Sequence, residues 1–268
     1  MTKAKIIGIM SVAFILLLSS SSLIFAEIWQ TKAISLFSDD YYEQCMELTQ
    51  EYKKDNLGLM FLTFSHLQEY TFNNTKYDKE KYKNYLMLLE DKTGSNDIEN
   101  LLFFVDQKDK PAVVKAARRL LKAAFKNCTE NEDVERLIPF LKISDDETND
   151  LTLKTIQRII TPKRKVVSKG GTLRKKDIIM MSDPELIKAL LEKVTVSSKA
   201  AKILVSIEEP VLKYMSGYDG EKIGKLENKI NKAMSKRKKK YPESNWYSAI
   251  GKTRSHGRSE VGDGGDDG

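Results

Sequence analysis

Residues 161–176, TPKRKVVSKGGTLRKK, divide the chain into two parts of opposite charge. Lys163, Arg164, Lys165, Lys169, Arg174, Lys175 and Lys176 place seven cations in sixteen positions, with no acidic residue among them. Thr161-Pro162 closes the helical pattern before it, because proline offers no N–H to a continuing helix. Gly170-Gly171 then separates two short β-prone pieces, Val166-Val167 and Thr172-Leu173. This order of signals predicts a basic loop or small hairpin projecting from a helical body.

Outward from that stretch the charge is uneven. Residues 27–160 hold 19 basic and 24 acidic side chains, whereas residues 161–258 hold 24 and 10. The whole chain of 268 residues has a formal net charge of +7. Such polarity points to a C-terminal half that meets an anionic partner, with a solvated lysine-rich surface as the plainer alternative. Only six prolines and fourteen glycines interrupt the chain. Leu, Ile, Lys, Glu and Ala dominate, and β-branched runs are rare, so the expected fold class is all-α.

Upstream, Tyr41, Cys45, Leu48 and Tyr52 form one helical stripe, and Leu57–Phe72 is apolar on most sides, as a buried helix requires. His66 sits inside that helix and reads as a core or boundary histidine. Asp109-Lys110-Pro111 is a helix start with a capping carboxylate and a first-turn proline. Thr129-x-x-Glu132 and Ser144-x-x-Glu147 read as capping boxes. Downstream, Ser182-Asp183-Pro184 opens a helix and Ser197 another. Glu208-Glu209-Pro210 restarts the chain. The last helix carries Ile223, Leu226 and Ile230 and runs into Lys236, Arg237, Lys238, Lys239 and Lys240.

The two ends differ from this body. In residues 1–26, Lys3 and Lys5 precede an apolar run from Ile6 to Leu18 and a small-residue segment ending at Ala26. That is the layout of an export signal. An uncleaved anchor is the competing reading, since Ile6 to Ala26 is just long enough to span a bilayer. Either way the remainder is expected outside the cytoplasm, periplasmic or secreted. Residues 241–268 lack periodicity and read as a disordered tail, with Trp246 and Tyr247 as a short contact motif. Export leaves two readings for Cys45 and Cys128, one disulfide or two buried free thiols.

The expected domain order is thus a signal or anchor (1–26), a helical part (27–160), the basic loop (161–176), a basic helical part (177–240) and the tail (241–268). The helices follow one another through short capped turns, the pattern of antiparallel helix pairs. Asp109-Lys110-Pro111-Ala112-Val113-Val114-Lys115-Ala116-Ala117, residues 145–160, Asp183-Pro184-Glu185-Leu186-Ile187 and residues 200–204 resemble HEAT-type repeats. Residues 39–92 resemble the paired helices of a tetratricopeptide array, without its full signature. The resemblance covers about two thirds of the chain. It implies an α-solenoid scaffold that binds proteins on a concave face. An irregular helical bundle is the other architecture open.

Several chemistries find no footing. Two histidines, one in the tail, give little for a Ser-His-Asp or Cys-His arrangement. Two cysteines without a C-x-x-C spacing give no zinc motif. Gly251-Lys252-Thr253 lacks the first glycine and the strand of a phosphate loop. No cofactor motif is present, and an enzyme is not expected. A helix over residues 151–160 followed by a basic hairpin resembles the end of a winged helix, but export argues against nucleic acid. The expected function is a non-catalytic scaffold or adaptor for a protein partner in a cell-envelope assembly. The alternative is a module that binds an anionic membrane or cell-wall surface through its basic half. The expected contacts are Lys163, Arg164, Lys165, Lys169, Arg174, Lys175, Lys176, the cations of 236–240, Trp246 and Tyr247.

Overall fold

A computed structural model describes residues 28–168, 171 and 173–241. The export segment, Lys169 and the Trp246-Tyr247 motif lie outside them. The described residues are helical, with no strand among them. None of their helices is long and apolar enough to cross a membrane. The chain forms two compact units, which divide between Ala124 and Phe125.

The first unit contains α1 (28–38), α2 (Tyr42–Gln50), α3 (Asn56–Asn73), α4 (Lys76–Lys92), α5 (Ile98–Val105) and most of α6 (Pro111–Asn127). Its centre is α3, which packs against α2 and α4. Leu59, Met60, Phe61, Leu62, Phe64 and Leu67 are all buried, as a helix apolar on most sides must be. Asp55 starts α3, its carboxylate accepting from the N–H groups of Leu57 and Gly58 at 2.8 and 3.2 Å. Gly58 is needed for space, because a Cβ there would lie 2.4 Å from the Tyr52 carbonyl oxygen. The ring of Phe104 lies 4.5 Å from that of Phe64, 5.0 Å from Phe61 and 5.5 Å from Phe37. These offset and edge-on pairs add to the area they bury.

The second unit contains α7 (Asn131–Lys142), α8 (Asp146–Ser168), α9 (Lys175–Met181), α10 (Pro184–Lys193), α11 (Ser198–Ile207), α12 (Glu209–Leu212) and α13 (Glu221–Lys240). α8 packs on α7 and α11, α10 on the same two helices, and α13 on α11 and α12. Leu137, Phe140, Leu153, Ile156, Leu190, Leu204 and Ile230 fill the space between them. Asp183 caps α10 as its sequence predicts, accepting from Leu186 N at 2.8 Å. Two other starts lie one residue beyond the expected cap. At α7 the Asp133 carboxylate accepts from the N–H groups of Thr129 and Glu130, and at α8 Asp145 accepts from Thr148 N. At α8 an aspartate carboxylate takes the acceptor role expected of the Ser144 hydroxyl, as charge-assisted bonds favour, and at α7 Asp133 takes the role expected of Glu132.

The basic stretch is not a hairpin. α8 continues through Pro162 to Ser168, so Val166 and Val167 are helical, and Lys175 and Lys176 open α9. Proline leaves the carbonyl of Arg158 without its usual donor and normally disfavours a helix interior. Here side chains support the neighbouring carbonyls. Thr161 Oγ1 donates to Gln157 O at 2.7 Å and Lys163 Nζ to Ile159 O at 3.2 Å. The turn after the proline is also tied by ion pairs described below. Pro162→Ala is expected to stabilise the second unit by up to about 3 kcal/mol, the amount by which proline is worse than alanine inside a helix. A urea-unfolding midpoint at or below that of the parent would place the proline in a turn instead.

Candidate functional site

In the second unit two buried carboxylates gather the cations of the basic stretches. Asp177, in the first turn of α9, accepts from Arg174 Nε and Nη2 at 2.9 and 3.2 Å. Asn131 Nδ2 donates to it at 3.0 Å, and Lys163 Nζ lies 3.5 Å away. Burial pushes the Asp177 carboxyl up, but these donors and charges outweigh it and hold it at about 2. A lowered carboxyl stabilises the fold above its unfolded value near 3.8 and loses that contribution as pH falls through about 2. The difference is worth about 1–2 kcal/mol once the exposure of Arg174 is allowed for. Asp177→Asn should therefore flatten the stability-against-pH curve between about pH 4 and 2, read by urea unfolding at each pH. An unchanged slope in the variant would contradict the pairing.

Glu208 is the more unusual group. It is completely buried and joins α11 to α12 with φ 66° and ψ −122°. A non-glycine residue in that region stores about 1–3 kcal/mol of strain. The sequence reads Glu208-Glu209-Pro210 as the point where the chain restarts into a helix, a place where a carboxylate can cap. Glu208 instead makes no capping hydrogen bond, and its carboxylate turns inward. Oε1 pairs with Arg164 Nη1 of α8, and Arg237 Nε of α13 donates to Oε2 at 2.8 Å. The two arginines come from the two basic stretches that the sequence singled out. Arg237 lies seven residues after Ile230, on the stripe that buries Ile223 and Leu226, so the helix carries it inward.

Beside this pair is a cavity of about 250 Å³ lined by Arg164, Ala233, Lys236, Arg237, Lys240 and Tyr241. Lys236 and Lys240 are one turn apart on α13 and both exposed. Lys240 Nζ lies 5.4 Å from the Tyr241 ring centre. A second recess, of about 210 Å³, lies where Val196, Ser197 and Ser198 meet Lys222, Lys225 and Lys229. Val196 is 77% exposed there.

The remaining predicted contacts fall as follows. Lys176 Nζ pairs with Glu130 at 3.6 Å. Lys165, Lys175, Lys238 and Lys239 are exposed. Cys45 in the first unit and Cys128 in the second are both buried. Burial pushes both thiols up to about 11, which leaves them protonated and unreactive at neutral pH. His66 is buried in α3, its Nδ1 2.8 Å from Asp78 Oδ1. In the first unit Lys110 is buried between Asp40 (2.9 Å) and Asp109 (2.7 Å), a cation whose charge is held inside the fold. No group of three or more His, Cys, Asp or Glu side chains suited to a metal occurs among the described residues. Sequence reasoning missed the role of the Asp177 carboxylate and, more completely, that of Glu208. The only signal for it was the register that places Arg237 on an apolar stripe. No protein-family model, no curated protein and no solved structure matches the chain.

Proposed function

We propose that the chain is an exported, non-catalytic attachment protein whose second unit holds it to an anionic phospholipid surface. The observation that carries this reading is α13. In twenty residues it has nine cations and two carboxylates, and every one of its eight lysines is exposed. Ile223, Leu226, Ile230 and Arg237 are its buried residues, with Ala233 and Met234 half-buried beside them. A long row of lysines without a shaped counterpart suits a diffuse field of headgroups, each lysine near such a surface contributing about 1 kcal/mol. Val196, apolar and exposed beside Lys222, Lys225 and Lys229, suits the boundary between headgroups and acyl chains. The helix pairs would act as the scaffold behind this surface, in the manner of the solenoid resemblance. An adaptor contact with one protein partner is the second reading, and the exposed aromatics Tyr41, Phe72 and Tyr77 of the first unit favour it.

Co-sedimentation of the full chain with phosphatidylglycerol vesicles separates the two. Binding is expected at low salt and should fall steeply as salt approaches 1 M, where screening acts within about 3 Å. Phosphatidylcholine vesicles should not bind. Binding to neither vesicle, or binding indifferent to salt, would remove the surface reading and leave the protein contact.

A further inference from the structure

The recess between α11 and α13 differs in kind from the open lysine face of α13. Its walls are the turn at 194–197, the first turn of α11 and one side of α13. Val194 and Leu226 lie buried at its base, and Ala201 is a half-buried, small apolar wall. Val196 stands at its edge, 77% exposed. Most of the surface inside the recess is apolar. A valine so exposed, over a base that is already dry, gains from being covered by hydrocarbon. No carboxylate is among the described residues that line the recess.

Three lysines edge this apolar space, and they are not equally free. Lys225 Nζ pairs with Glu221. Lys222 Nζ donates to the Thr195 carbonyl, which ties α13 to the turn across the recess. Lys229 enters no ion pair among the described residues. It is therefore the ammonium open to a ligand, and one open ammonium suits one negative charge. A helix rises about 1.5 Å per residue, so Lys222 and Lys229 stand about 10 Å apart along α13. That is the length of a short hydrocarbon chain. The volume, about 210 Å³, agrees with it. Groups the size of a water or methylene take about 30 Å³ each, so several fit, far short of the two chains of a phospholipid.

We infer that this recess binds a medium-chain fatty acid, its carboxylate at Lys229 and its hydrocarbon over Val196, Ala201 and Leu226. The combination of one charged end and an apolar interior is what a single-chain anionic amphiphile presents in reverse. The site needs no bilayer. It goes beyond the surface reading and stands apart from it, although Lys225 and Lys229 serve both.

Calorimetric titration of the full chain with octanoate and decanoate, both kept below the concentrations at which they form micelles, tests the site. Decanoate should bind saturably at one site. Each buried methylene is worth about a fourfold change in affinity, so octanoate should bind about fifteenfold more weakly. Ala201→Leu fills the recess and should abolish binding. Val196→Asp, at an exposed position, sets a carboxylate against that of the ligand and should do the same. Lys229→Gln should weaken binding about threefold, as the loss of an exposed charge pair does. Ile179→Ser and Lys202→Gln, exposed elsewhere in the same unit, should leave binding unchanged. No saturable binding, equal affinities for the two acids, or decanoate binding as tight in both blocking variants as in the parent overturns the inference. So do equal losses in the blocking variants and the controls. Decanoate binding without attachment to phosphatidylglycerol vesicles would keep the inference and remove the surface reading. Attachment to vesicles without decanoate binding would remove the inference alone.

Discussion

Replacing Arg237 by alanine is expected to destabilise the second unit by about 3–5 kcal/mol, the usual cost of leaving a buried charge without its partner. Glu208 is completely buried, and the Arg237 side chain is only 3% exposed. The guanidinium and carboxylate meet at 2.8 Å where water cannot take the place of either. Arg164 remains as a second partner, but its side chain is 22% exposed and its charge is partly screened. The effect is specific to register. Lys238→Ala, one position along and exposed, should change stability by no more than about 0.5 kcal/mol. Glu208→Gln combined with Arg237→Met should lose less than Arg237→Ala alone, because both buried charges then leave together. Urea unfolding followed by circular dichroism reads all three. Equal midpoints for Arg237→Ala and Lys238→Ala would contradict the buried pair.

Neutralising Lys229, Lys232, Lys238 and Lys239 to glutamine is expected to weaken binding to phosphatidylglycerol vesicles about a thousandfold at low salt. Each lysine contributes about 1 kcal/mol near an anionic bilayer, and about 4 kcal/mol corresponds to that factor. All four side chains are exposed, so the unfolding midpoint should hardly move. This separation of binding from stability distinguishes the face of α13 from its inward edge, where Arg237 should behave in the opposite way. A quadruple variant that binds as tightly as the parent would show that these lysines are only a solvated surface.

The parts of the fold legible in the sequence are those decided by local pattern. The apolar face of α3 and the Asp183-Pro184 start of α10 need no distant partner to be recognised. The continuation of α8 past Pro162 is different in kind. It depends on Lys163 reaching Asp177 and Arg164 reaching Glu208, residues 14 and 44 positions further along by number. A local breaker signal cannot anticipate such tertiary ties. The cap of α8 moved by one residue because Asp145 competes with the Ser144 hydroxyl that the motif favours, and at α7 Asp133 rather than Glu132 accepts from the start of the helix.

The candidate site was legible in outline only. Charge counting identified both basic stretches, and the structure places Arg164 and Arg237 on one carboxylate. It could not separate the inward cations from the outward ones, because lysine and arginine look alike in a charge run. The seven-residue step from Ile230 to Arg237 carried that information for one position. Nothing local marked Glu208, whose role depends on a left-handed backbone and two helices remote in sequence.

Lysine acetylation footprinting of the full chain, free and bound to phosphatidylglycerol vesicles, tests the central claim most directly. The surface reading predicts strong protection of Lys225, Lys229, Lys232, Lys238 and Lys239, all exposed in the free protein. Lys79 and Lys83 of α4, equally exposed in the first unit, should react at unchanged rates. Protection confined to the first unit, or no protection on vesicles that demonstrably carry the protein, would contradict attachment through α13.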